Sequence, residues 1–80
     1  MTKEEVLNQV ETIFRDVLDE DDLIIKDRTT ANEVDEWDSL NHIQLVVAIE
    51  KHFKIRFTSS EIQGFSNVGE MCESISKKLL

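Results

Sequence analysis

From Asp19 to Asp38 the sequence shows neither helical nor strand periodicity, and it contains no Gly and no Pro. No other stretch limits the possible folds as much. A loop this long is uncommon inside a compact domain and is usually functional or disordered. With no Gly or Pro to set turns, its shape must come from apolar anchors, and Leu23, Ile24, Ile25, Val34 and Trp37 are available. The expectation is a loop packed over helices, with Leu23-Ile24-Ile25 too short to read as a strand. Its start, Asp19-Glu20-Asp21-Asp22, does not fit a calcium loop, because the positions that need Gly and Glu hold Ile24 and Thr30. A solvated acidic turn is expected there.

Helical patterns stand on both sides of the loop. Thr2-x-x-Glu5 is a capping box, and Val6, Val10, Ile13, Phe14 and Val17 follow at helical spacing, with Leu7 and Leu18 widening the stripe. This predicts a helix over residues 3–18. After the loop, Leu40, Ile43, Leu45, Val46, Val47, Ile49 and Phe53 predict a second helix over residues 39–53. Its stripe is too wide for one face. The Leu45-Ile49-Phe53 line can meet the core while Leu40, Ile43 and Val47 form an exposed apolar edge, the kind of surface that meets a partner. Lys51 and Lys54 complement the dipole at the end of this helix.

Ile55 and Phe57 alternate with polar neighbours, as in an extended connector that plugs a bundle. Thr58-x-x-Glu61 is a second capping box and predicts a short helix over residues 59–63, stopped by Gly64, with Ile62 and Phe65 buried. Ser66 or Asn67 then caps a last helix that carries Val68, Met71, Cys72, Ile75 and Leu79. The expected fold class is all-α. It is a four-helix bundle of three main helices plus a short third helix, with a long first loop, in one domain over residues 1–80.

Size and charge exclude several functions. A chain of 80 residues buries only about 60–65% of its unfolded surface, which leaves no room for a deep cleft with its own catalytic shell. Lys and Arg number 9 against 17 Asp and Glu, a net charge of −8. That balance supplies no basic face for nucleic acid and suits partners with basic patches. Cys72 is the only cysteine, so no internal disulfide can form and a reducing compartment is expected. The N-terminus has no apolar signal core, and no apolar run approaches membrane-spanning length. A soluble, cytoplasmic monomer without membrane insertion is the reading.

Chemistry concentrates at the junction between loop and second helix. Ser39 falls where the first N–H groups lack partners and the helix dipole is positive, so a phosphate joined to it would meet favourable donors. The same place suits a plain helix cap by Asp38 or Ser39. Asp38, Ser39 and His42 are the residue types of a hydrolase triad, but nothing nearby offers an oxyanion site or a substrate pocket. His42 and His52 have no partner at zinc-ligand spacing. His42 reads as a surface histidine beside Ser39, and Cys72 as a buried structural thiol.

Asp38-Ser39-Leu40, followed by Leu45-Val46, Ala48-Ile49-Glu50 and Phe53-x-Ile55, closely resembles the acyl carrier proteins. The likeness extends over nearly the whole chain, including the long loop, the short third helix and Val68-Gly69-Glu70. It implies that Ser39 is no catalyst but the attachment site of 4′-phosphopantetheine, placed there by a phosphopantetheinyl transferase that uses coenzyme A. It implies that Asp38 helps hold the magnesium bound by that transferase. The arm's thiol then carries acyl groups as thioesters to acyl-loading and acyl-transfer enzymes of fatty-acid, lipid or specialised acyl biosynthesis. Partner docking is expected at Leu40, Asn41, Ile43, Gln44 and Val47, and an acyl pocket between helices two and three at Val46, Ile49 and Ile62. An aminoacyl or peptidyl carrier, or a helical interaction module that carries nothing, is the alternative.

The chain departs from the common pattern in two ways. Glu36 and Trp37 stand where that pattern has a Gly, giving Val34-x-x-Trp37-Asp38-Ser39-Leu40, a form similar to stand-alone carriers of specialised pathways. The exposed positions expected on the second helix are Asn41, Gln44, Lys51 and His52, with Glu50 the one acidic residue. Docking is therefore expected to lean on Leu40, Ile43 and Val47.

Overall fold

The computed structural model describes residues 2–79; Met1 and Leu80, the ends of the expected domain, lie outside them. The fold is all-α, with α1 at Lys3–Leu18, α2 at Ser39–Phe53, α3 at Ser59–Gly64 and α4 at Val68–Leu79. Both capping boxes form. The Thr2 hydroxyl accepts from the Glu5 N–H while the Glu5 carboxylate accepts from the Thr2 N–H, and Thr58 and Glu61 repeat the exchange. Asn67 rather than Ser66 caps α4, its Oδ1 accepting from the Glu70 N–H at 2.9 Å, and the Ser66 N–H donates back to Glu70 at 2.6 Å.

The apolar stripes set the packing. α1 lies against both α2 and α4. Val6, Val10 and Phe14, Leu45 and Ile49, and Val68, Met71, Cys72 and Ile75 are all fully buried between them. Burying one such large side chain is worth about 1.5–3 kcal/mol, so the stripes decide which faces meet. The connector behaves as expected, with Ile55 and Phe57 buried and the Phe57 N–H donating to the Glu50 carboxylate at 2.8 Å.

The long loop is tied to the bundle at both ends and in its middle. Ile25, Val34 and Trp37 are buried, but Ile24 is 68% exposed, against expectation. The reason lies on α1. The Ile25 N–H donates to Glu11 Oε2 at 3.1 Å and Arg15 Nε donates to the Leu23 carbonyl at 2.7 Å, which turns Ile25 inward and its neighbour outward. A short 3₁₀ turn at Ala31–Glu33 follows, for which the sequence offered no sign. Before that turn, the carbonyls of Asp27 and Thr29 accept from the N–H groups of Gly69 at 2.6 Å and Val68 at 2.9 Å. The loop thereby supplies acceptors for first-turn donors of α4 that have no partner within the helix.

Two expectations about the second half need correction. Gly64 does not stop α3 by a left-handed turn; it is the last helical residue, and Phe65 leaves in an extended conformation. Ile62 and Phe65 are half-buried, packed against the rim of the core. α3 has only 6 residues, too few for a helix face that can be enclosed. The left-handed cap positions are instead Asp19 at φ 55° and Lys54 at φ 58°.

The close approach at Gly69 decides the sign of a substitution. A Cβ there would lie 2.7 Å from the Asp27 carbonyl oxygen. Gly69→Ala is expected to lower stability by about 1–3 kcal/mol through that overlap, although Ala is the better helix former by about 1 kcal/mol. Lys54→Gly is expected to raise it by about 1 kcal/mol by relieving the left-handed backbone. Urea unfolding of the two variants beside the parent measures both.

Candidate functional site

Ser39 owes its availability to Asp38. Asp38 has extended backbone and acts as the N-cap of α2, its Oδ1 accepting from the Asn41 N–H at 2.9 Å and its carbonyl from the His42 N–H at 2.8 Å. Ser39 is thus the first helical residue. It is exposed, and its hydroxyl makes no hydrogen bond among the described residues. The N–H groups of Ser39 and Leu40 likewise find no acceptor there. Unpartnered donors and the positive end of the helix dipole lie beside this hydroxyl, an arrangement that suits an anion.

Trp37 fixes the approach to that position. It is 5% exposed and meets Phe14 edge-on, with ring centroids 5.0 Å apart. Its indole Nε1–H donates to His42 Nδ1 at 2.9 Å, and His42 Nε2 lies 2.9 Å from the Ile62 carbonyl oxygen. An indole N–H can only donate, so Nδ1 must accept and the ring proton sits on Nε2, donated to Ile62. His42 is therefore a half-buried bridge and not a surface histidine. A buried Trp needs an acceptor for its N–H, and that need was the signal in the sequence. With both ring nitrogens engaged, His42 offers Ser39 no general base.

The expected docking residues divide. Leu40 at 67%, Ile43 at 58% and Val47 at 41% are exposed and form the apolar edge, and Gln44 is exposed beside them. Asn41 is half-buried, its side-chain amide donating to the Glu36 carbonyl at 2.6 Å, so it holds the loop end. Glu50 is half-buried too, occupied by the Phe57 N–H, and His52 Nε2 is paired with Gln9 Oε1 at 2.6 Å. The accessible face of α2 is thus less acidic than the sequence suggested.

A cavity of about 530 Å³ opens beside Ser39 between α2 and α3, bordered by Trp37, His42, Ile43, Ile62, Gln63 and Phe65 among others. Of the three residues expected to form an acyl pocket, Ile62 lines this cavity, whereas Val46 and Ile49 lie in the core. Cys72 is fully buried, and burial, with the Asp27 carboxylate adding to it, pushes its thiol up to about 11. It is no nucleophile at neutral pH.

α3 is held to α4 through Glu61. The Thr58 N–H bonds its carboxylate, Lys78 Nζ stands 3.0 Å away and Ser74 Oγ donates at 3.1 Å. Together they draw the Glu61 carboxyl from its ordinary 4.5 down to about 2.

Three comparisons with known proteins identify the family. The family model described as "Phosphopantetheine attachment site" matches residues 8–75. The chain is 34% identical over 80 residues to an acyl carrier protein of Cyanidium caldarium, covering 99% of this chain and 92% of that one. It is 32% identical to an acyl carrier protein of Guillardia theta, covering 99% of this chain and 98% of that one. The solution NMR structure of a holo acyl carrier protein from Geobacter metallireducens superposes with a TM-score of 0.87 at 42% identity, covering 92% of this chain and 85% of that one. The chain belongs to the acyl carrier proteins of the phosphopantetheine-attachment family.

The lowered Glu61 carboxyl yields a pH prediction. A depressed folded value contributes stability that is present above about 4.5 and lost as pH falls toward about 2. Amide protection in α3, relative to unstructured amides at the same pH, is expected to fall across that window in the parent, and Glu61→Gln to flatten that fall.

Proposed function

We propose that Ser39 Oγ is the attachment point of 4′-phosphopantetheine and that the chain, one carrier domain, presents acyl groups to partner enzymes without catalysing their chemistry. When bound, the group supplies the thiol on which acyl cargo rides as a thioester. The observation that supports the site most is that Asp38 does the capping, which leaves the Ser39 hydroxyl exposed and unengaged. Phosphate oxygens on Ser39 would meet the free N–H groups of Ser39 and Leu40. The cavity alongside, with Ile43, Ile62 and Phe65 on its walls, gives the arm and its cargo an apolar resting place.

Asp38 uses only Oδ1 in the cap, so Oδ2 remains for the magnesium of a phosphopantetheinyl transferase during modification. The transferase and the acyl-loading and acyl-transfer enzymes would dock on Leu40, Ile43, Gln44 and Val47. Asn41 contributes by fixing the loop beneath them. The net charge of −8 and the buried, unpaired Cys72 suit a cytoplasmic monomer. No helix among the described residues is long and apolar enough to cross a membrane.

The intact mass decides the matter. The protein from its own cells is expected to show the added mass of one phosphopantetheine, and Ser39→Ala to show none. An unmodified parent, even after incubation with coenzyme A, magnesium and a broad-specificity transferase, would return Ser39 to a plain helix position.

A further inference from the structure

His42 stands on α2 between Ser39 and the helix positions that enter the core. Ser39, His42, Val46 and Ile49 follow one another on α2 at steps of three and four, so they share one helix face. At the helical rise, His42 lies about 4.5 Å along the axis from Ser39, Val46 about 10 Å and Ile49 about 15 Å. Cargo moving inward along this face therefore meets His42 before it meets the core. The ring is held from two sides, by the Trp37 indole at 2.9 Å and by the Ile62 carbonyl of α3 at 2.9 Å. The cavity beside Ser39 is lined by His42 and Ile62, whereas Val46 at 2% exposure and Ile49 at 0%, further along the same face, are buried and do not line it. α3 is tied to α4 through Glu61, and among the described residues the His42–Ile62 bond is its hydrogen bond to α2, beside the packing of Phe65 on the His42 ring.

We propose that His42 is a latch between α2 and α3 that sets a chain-length threshold for cargo on the Ser39 arm. This rests on the carrier reading of Ser39. While the ring bridges Trp37 and Ile62, a short or polar acyl group stays in the outer cavity. A long alkyl chain reaches Val46 and Ile49 only by breaking the bridge. Each buried methylene favours entry by about fourfold. Losing two hydrogen bonds and stranding a buried indole N–H opposes entry by about a hundredfold. The balance turns after roughly three or four buried methylenes, on those same two values. Below that number the interior stays closed, and above it the latch yields. His42 acts as a positioning residue here; it touches the cargo's path and not the reacting thioester.

The test has two arms. In the unmodified protein, NMR exchange of the Trp37 indole N–H is expected to run about tenfold faster in His42→Ala than in the parent, by loss of its acceptor. His42→Gln keeps one acceptor and one donor and is expected to fall between them. The parent, His42→Ala and His42→Gln are then loaded with butyryl, octanoyl and dodecanoyl groups, and the amide shifts of Val46 and Ile49 are followed. In the parent these amides are expected to stay still with butyryl and to move with dodecanoyl, at the length where indole protection is lost. In His42→Ala they move already with butyryl, and His42→Gln restores most of the parent's threshold. Equal indole exchange in the parent and His42→Ala, or one threshold shared by both, overturns the latch while the carrier reading stands. A parent that accepts no cargo at Ser39 overturns the carrier reading and the cargo selection with it, whatever the indole shows.

Discussion

Trp37 packs edge-on against Phe14 of α1, and the place of Ser39 in space follows from that contact. The loop returns to the bundle at this ring, and the next residue, Asp38, already caps α2. Loop end, cap and helix start are therefore fixed together. A T-shaped pair of this kind contributes about 0.5–1.5 kcal/mol beyond the area it buries. The contact also begins a series of rings: Trp37 stacks on His42, His42 meets Phe65, and Phe65 meets Phe57 edge-on. One line of aromatic side chains thus runs from α1 through the loop and α2 to both flanks of α3.

The loop is a structural member of the bundle rather than a tether between helices. Glu11 and Arg15 of α1 bind its backbone near Leu23 and Ile25, and the first N–H groups of α4 bind its carbonyls at Asp27 and Thr29. Buried Thr29 adds a local turn, its hydroxyl accepting from the Lys26 N–H at 2.8 Å. These ties do the work that Gly or Pro would do in a loop shaped by its own turns. At the loop's base the acidic residues work the other way, and the Glu36 carboxylate, reinforced by neighbours, raises the carboxyl of Glu20. Apolar anchoring and backbone bonds outweigh that repulsion.

What could be read from the sequence was whatever repeats at helical spacing or caps locally. α1, α2 and α4, both capping boxes and the exposed Leu40-Ile43-Val47 edge all rest on residues within a turn or two of each other. What could not be read depends on partners far along the chain. The choice between Ile24 and Ile25 was made by Glu11 and Arg15, and the role of His42 by the Ile62 carbonyl, twenty residues away. Glu50 passed for a surface acid because its partner, the Phe57 N–H, becomes a neighbour only once the connector turns back. At the site, Asp38-Ser39-Leu40 was legible as a family motif, but the division of labour within it was not. Either Asp38 or Ser39 could have been the cap, and the helix register alone chose Asp38.

That choice of cap separates the folding of this chain from its chemistry. A serine that capped its own helix would have its capping oxygen altered by esterification. Here the capping oxygen belongs to Asp38, and the Ser39 hydroxyl supports nothing. On the proposed attachment at Ser39, modification would leave the cap of α2 in place. A chain of this kind would be complete as a fold before it is modified, so its conversion would wait on an enzyme and not on its own folding.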